Sequence, residues 1–227
     1  MATRRERLEE REGAIVSAAR TVFLEKGYEK ATMLEIANLA GVAHGSTYLY
    51  FRNKQAVLGA VLGDFYARLT ASARDGLGEI PERRTLDRLN FLAHHHLEWV
   101  LGDWKLMLLG VSLLRDKLDY SESETYRLNR EYTAAFDEVL RYGISRGDIR
   151  DDVPLWLLRD QFFGTLEYIA RTLVLRNKQD EIDVAVDTVL SVMCTGMQVD
   201  ESDTDAGGVR SLIERLEVSV ERLEAGG

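Results

Sequence analysis

Residues 27–58 read GYEKATMLEIANLAGVAHGSTYLYFRNKQAVL. Thr32 and Glu35 stand three apart ahead of an apolar-periodic run. That is the spacing of a capping box, in which each side chain satisfies a backbone N–H of the other's residue at a helix start. Ile36, Leu39 and Ala40 then share one face, supported by Leu34 and Ala37. Gly41 can end this helix in the left-handed conformation at low cost, with Val42 filling the angle to the next element. His44 to Tyr50 makes roughly two helical turns, and Asn53 is placed to cap a third helix beginning near Lys54.

A helix, a tight turn and a short helix with a small polar outer face form a helix-turn-helix. This motif docks its second helix in the DNA major groove and reads bases from side chains near that helix's start. Here the start carries Ala43, His44, Gly45 and Ser46, and Gly45 and Ser46 are small enough for close backbone approach. Tyr48, Tyr50, Arg52 and Lys54 supply phosphate partners beside the groove. An ordinary packed helix pair does not call for a capping box, a glycine turn and a polar second helix together.

These residues resemble the TetR family of bacterial transcriptional regulators. The resemblance is carried by Ala31-Thr32-Met33, Ile36-Ala37, Ala40-Gly41-Val42, Gly45, Tyr48, Tyr50-Phe51 and Lys54, after Phe23 to Tyr28 at the end of a first helix. It implies operator contacts at Thr32, His44, Gly45, Ser46, Tyr48, Tyr50 and Lys54. Two positions depart from the pattern. Ala43 stands where the family often has Ser or Thr, so a capping hydroxyl is missing; Thr47 replaces a commonly apolar residue, and either turns toward DNA or sits against the core.

The net charge of −9 divides unevenly: residues 1–54 hold nine Lys/Arg against seven Asp/Glu, and the remainder carries −11. The DNA face is therefore local and the acidic bulk lies elsewhere. Arg4, Arg5, Arg7 and Arg11, interleaved with four glutamates, read equally as an arm for phosphate or minor groove and as a solvated, frayed helix start. No signal-peptide core opens the chain and no apolar run approaches a membrane span. With one cysteine, Cys194, no intrachain disulfide is possible, and a cytoplasmic protein without membrane attachment is expected.

The fold class is thus all-α: a three-helix DNA-binding domain over residues 1–54, then a helical ligand-binding and dimerisation domain over 55–199. Its helices are expected near 54–75, 84–101, 103–117, 121–146, 154–177 and 180–199, with Gly76 to Pro81 breaking the chain. The last two are the dimer candidates. Phe162, Phe163, Leu166, Ile169, Ala170, Leu173 and Val174 stripe one, and Val184, Val186, Val189, Leu190, Val192, Met193 and Met197 leave the other apolar nearly all round. The family resemblance implies that this pair forms a four-helix interface between two copies. Residues 200–208 read as a linker, and Val209, Ile213, Leu216, Val220 and Leu223 as a heptad seam in a helix over 209–227.

Regulators of this type are released from DNA by a small effector. Phe91, His95, Trp99, Met107, Val111, Leu114, Tyr132, Phe136, Phe163 and Tyr168 are the candidate lining, and suit an apolar ligand. The runs His94 to Arg115 and Gly164 to Glu167 are similar to the acyl-CoA-responsive repressors of the family. That similarity offers Arg115 to a phosphate or carboxylate, beside the reading of a surface ion pair with Asp116 or Asp119. A sensor of drug-like compounds and a non-enzymatic oligomerisation protein are the alternatives. His94-His95-His96 cannot converge on one metal ion, because adjacent helical residues point about 100° apart. No metal, other cofactor or enzymatic motif is read in the chain.

Overall fold

The computed structural model describes residues 3–110 and 124–197. Every regular element among them is helical: α1 (Arg4–Lys26), α2 (Met33–Leu39), α3 (His44–Tyr50), α4 (Lys54–Gly78), α5 (Thr85–Gly102), α6 (Trp104–Gly110), α7 (Glu124–Arg146), α8 (Leu155–Arg176) and α9 (Ile182–Met197). A short 3-10 turn, Gln179–Glu181, precedes α9. Val111, Leu114, Arg115, the linker at 200–208 and the heptad helix at 209–227 lie outside the described residues.

Local chemistry accounts for the helix ends. Thr3 and Glu6 form a capping box at α1, with Glu6 N–H donating to Thr3 Oγ1 (3.2 Å) and Thr3 N–H to Glu6 Oε2 (2.7 Å). The arginine-rich start is therefore ordered helix, exposed throughout from Thr3 to Gly13, with Arg5 paired to Glu9 at 2.7 Å. Thr32 and Glu35 make the same box at α2. Gly41, at φ +68°, turns the chain so that Val42 N–H reaches the Ala37 carbonyl at 3.0 Å. Asn53 caps α4 by accepting from Ala56 N–H at 2.8 Å.

The expected break at Gly76 is corrected: α4 continues through it to Gly78. The glycine serves a close approach, since a Cβ there would stand 2.1 Å from the Phe91 ring. The described part of the expected helix at 180–199 divides into the 3-10 turn and α9, because α8 ends on Asn177 in the left-handed region (φ 53°) and the chain must redirect.

One contiguous core runs from Ile15 to Met197, and α4 joins its two ends through Val57, Leu58, Val61, Leu62, Phe65, Leu69, Ala73 and Leu77. Phe136 and Phe162 meet at 4.6 Å in its far half, and Phe65 meets Trp99 edge-on at 5.8 Å. The stripe expected to pair two copies is partly a monomer stripe. Phe162, Phe163, Leu166, Ala170 and Leu173 of α8, with Val186, Val189, Met193 and Met197 of α9, are buried in this core. What stays uncovered is a second stripe: Trp156, Leu157, Tyr168 and Leu175 on α8, and Val184 and Val192 on α9, the last 70% exposed.

Candidate functional site

Two places carry the chemistry, an outward helix near the amino end and a cavity in the body. The first is α3. Ala43 opens it without a side-chain cap, as its methyl dictates. His44, Gly45, Tyr48 and Arg52 are exposed, while Ser46 and Tyr50 are half-buried. His44 and Tyr48 meet edge-on at 5.4 Å, one helical turn apart. Small and polar groups, together with the exposed Leu49, thus face out along the side of α3 away from the core.

Three residues named for DNA contact have other engagements. Thr47 is fully buried, and its hydroxyl donates to the His44 carbonyl at 2.6 Å, so of its two open readings the inward one holds. The Thr32 hydroxyl accepts from Glu35 N–H at 3.2 Å and donates to the Glu35 carboxylate at 3.0 Å, inside the capping box. Lys26, then Thr32, holds the Glu35 carboxyl below its ordinary range. Lys54 corrects its expected place as a phosphate partner. Its ammonium donates to the carbonyls of Tyr28 (2.6 Å), Ala31 (3.0 Å) and Glu29 (3.2 Å) and lies 4.4 Å from the Tyr28 ring centroid. All three protons clamp the α1–α2 loop to the start of α4. Lys54→Met is accordingly expected to lower the unfolding free energy by about 2–3 kcal/mol, the scale for charge-assisted hydrogen bonds left without a partner. Chemical denaturation checks this, and an unchanged midpoint would remove the clamp.

The second place is a half-open cavity of about 1080 Å³ lined by α4, α5, α6, α7 and α8. Leu62, Phe65, Leu69, Val100, Met107 and Phe163 give it apolar walls. Arg130, Arg159 and Arg171 also line it beside the carboxylates of Asp160 and Glu167, as do Tyr66, His96, Asn129, Tyr132 and Thr133. Arg159 is held in place by Asp137, which is only 4% exposed, through contacts of 2.8 and 3.0 Å. Arg141 and Arg130 approach the same carboxylate at 3.7 and 3.9 Å. One buried acid therefore gathers a basic cluster at the edge of an apolar chamber.

Of the residues expected to line a ligand site, Met107, Tyr132, Phe163 and Tyr168 do so. Phe91, Trp99 and Phe136 do not: Phe91 packs on Gly76, Trp99 on Phe65, and Phe136 between Phe162 and Phe163. His95 is likewise outside, buried between Phe91 and Trp99 with Nε2 at 3.1 Å from Ser72 Oγ, and burial pushes its pKa down. The three adjacent histidines diverge. His94 faces Asp183 of α9 (3.3 Å), His95 faces Ser72 of α4, and His96 Nδ1 lies 3.3 Å from Tyr132 Oη of α7. Burial raises the Tyr132 phenol far above its ordinary pKa, so it stays a neutral hydroxyl. Sequence reading missed the arginines and the Tyr66, Asn129 and Thr133 polar row. Their only advance signal was helical spacing, with Asn129, Arg130 and Thr133 on one side of α7.

The two places are joined. Asp103, immediately before α6, forms an ion pair with Arg20 of α1. Four residues of α6 line the cavity, namely Trp104, Met107, Leu108 and Gly110.

Comparison with known proteins matches both halves. Residues 15–61 fit the model of bacterial regulatory proteins, tetR family, and residues 71–196 that of the YsiA-like protein C-terminal region. The chain is 27% identical over 188 residues to the fatty acid metabolism regulator protein of Bacillus subtilis, spanning 81% of this chain and 93% of that one. An HTH-type transcriptional repressor of Mycobacterium tuberculosis is 30% identical over 147 residues, 64% of this chain and 72% of its own. The crystal structure of the transcriptional regulator FadR from Bacillus subtilis in complex with stearoyl-CoA superposes with a TM-score of 0.70 at 25% identity, covering 81% of this chain and 98% of that one. No helix among the described residues is long and apolar enough to cross a membrane.

Proposed function

Because the chain belongs to the tetR family of bacterial regulatory proteins, we propose that it is a repressor released from its operator by a long-chain acyl-CoA bound in the body cavity. The observation that carries this reading is the mixed lining of that cavity. The walls from Leu62, Phe65, Leu69, Val100 and Met107 accept a hydrocarbon chain, and Arg130, Arg159 and Arg171 match the phosphates of a CoA moiety. The stearoyl-CoA complex of the similar regulator supports the same class of ligand. A free fatty acid leaves most of this basic group unused, and CoA alone leaves the walls unused.

In the DNA-bound form two copies pair through the uncovered stripe of α8 and α9. Their α3 helices then enter successive major grooves about 34–36 Å apart, on a pseudo-palindromic site. His44, Gly45 and Ser46 approach base edges, while Tyr48, Tyr50 and Arg52 hold phosphates. Calorimetric titration with stearoyl-CoA, stearate and CoA tests the ligand. Each half is expected to bind at least about tenfold more weakly than the thioester, and only the thioester to reverse a sequence-selective mobility shift. If stearoyl-CoA fails to bind, or binds without releasing DNA, the effector assignment falls and a different hydrophobic effector takes its place.

A further inference from the structure

Leu49 is 84% exposed, more than any other large hydrophobic among the described residues, and it stands on α3. A single exposed leucine ordinarily calls for no explanation. This one has particular neighbours. Gly45, one turn earlier, leaves open space, since a Cβ there would meet nothing within 4 Å. Tyr48 beside it is 49% exposed, and Arg52, three residues on, is exposed too. At 100° per residue, positions 45, 48 and 49 share one side of the helix, and Arg52 follows just beyond its end at Tyr50. The outer side of α3 is therefore an apolar centre, shallow on one flank and bordered by groups that hydrogen-bond phosphate.

In the major groove the apolar feature on offer is the C5-methyl of thymine, which no other base carries. A hydroxyl, amide or guanidinium at position 49 would read a donor or acceptor; an isobutyl group reads none. We propose that Leu49 determines operator sequence by packing on a thymine methyl in each half-site. The inference rests on the reading that α3 enters the groove, and it adds which base one position selects and by what contact.

The contact removes about one methyl carbon from water per half-site, which corresponds to roughly fourfold in affinity, and to about fifteenfold for the two half-sites of a dimer. The test uses a duplex recovered by the wild-type protein from a random-sequence DNA library, then resynthesised with each thymine in turn replaced by deoxyuridine. That change deletes the methyl and keeps every Watson–Crick hydrogen bond. At one symmetric pair of positions, uracil is expected to weaken wild-type binding by about fifteenfold. With Leu49→Ala, thymine and uracil duplexes are expected to bind within twofold of one another. Leu49→Ala changes an exposed position, so its thermal midpoint should match wild type.

The outcomes separate the two levels. If the wild-type protein selects no sequence from the library, the groove reading of α3 fails, and this inference with it. If it selects a sequence whose affinity is indifferent to uracil at every position, or if the uracil penalty persists undiminished in Leu49→Ala, the groove reading stands and the leucine–methyl contact is overturned.

Discussion

Saturating stearoyl-CoA is expected to weaken operator binding about a hundredfold in the intact protein and less than about tenfold in Asp103→Ala, a difference within the usual range of allosteric coupling. Asp103 sits between α5 and α6, and its carboxylate pairs with Arg20 of α1 in a half-buried setting where side-chain exposures are 14% and 36%. Directly after it, α6 presents Trp104, Met107 and Leu108 to the cavity. A ligand that displaces α6 therefore pulls on the DNA-reading head through this ion pair. A second route remains through Gly110, which lies against Leu62 of α4 closely enough that a Cβ would stand 3.1 Å from its methyl. Loss of the aspartate is thus expected to weaken the coupling without abolishing it. Fluorescence anisotropy with labelled operator, with and without ligand, reads the coupling, and calorimetry reads ligand affinity. Undiminished release from Asp103→Ala at unchanged ligand affinity would show that the ion pair transmits nothing.

The largest change in DNA affinity is expected from a substitution far from α3. Val184→Asp combined with Val192→Asp should yield a monomer at about 10 μM by sedimentation and cut operator affinity by two to four orders of magnitude, the scale on which two tethered heads exceed one. Both valines are exposed in the single copy, at 66% and 70%, and neither lines the cavity. New charge there costs the monomer little; in a pair of copies it would be taken out of water unpaired. Unaltered thermal unfolding would confirm that the fold tolerates it. A double variant that still sediments as a dimer would move the interface away from α9.

The local devices of the head were legible in the sequence because their partners lie within four residues: Thr32 with Glu35, Asn53 with Ala56, Gly41 with the Asn38 carbonyl. Lys54 was misplaced because its acceptors are 23 to 26 residues away and are backbone atoms, which carry no sequence signature. Thr47 turned inward because a hydroxyl can satisfy itself on the carbonyl three residues back and then pack as a small apolar group. In the body, apolar character made Phe91, Trp99 and Phe136 candidate lining, yet a helix has more than one inward direction. Those three meet other helices, while Met107, Tyr132 and Phe163 meet the cavity. The same ambiguity left Phe162 and Leu166 of α8 buried in the monomer, while Trp156, Leu157, Tyr168 and Leu175 are the exposed apolar residues of that helix. Arg130 and Arg159 carried no such apolar signal: both turn to the buried Asp137 of α7, and Arg159 also approaches Asp160 at 3.9 Å.

Gly76 lets Phe91 press directly on the backbone of α4, and a helix pinned at that crowded point would pivot about it. From it to Lys54 the helix extends 22 residues, about 33 Å at 1.5 Å per residue. A tilt of about 5° there swings the far end through about 3 Å, close to the rise of one base pair. In a pair of copies related by a two-fold axis the two tips would move in opposite directions, so a small rocking of the long helix would put both heads out of step with the duplex.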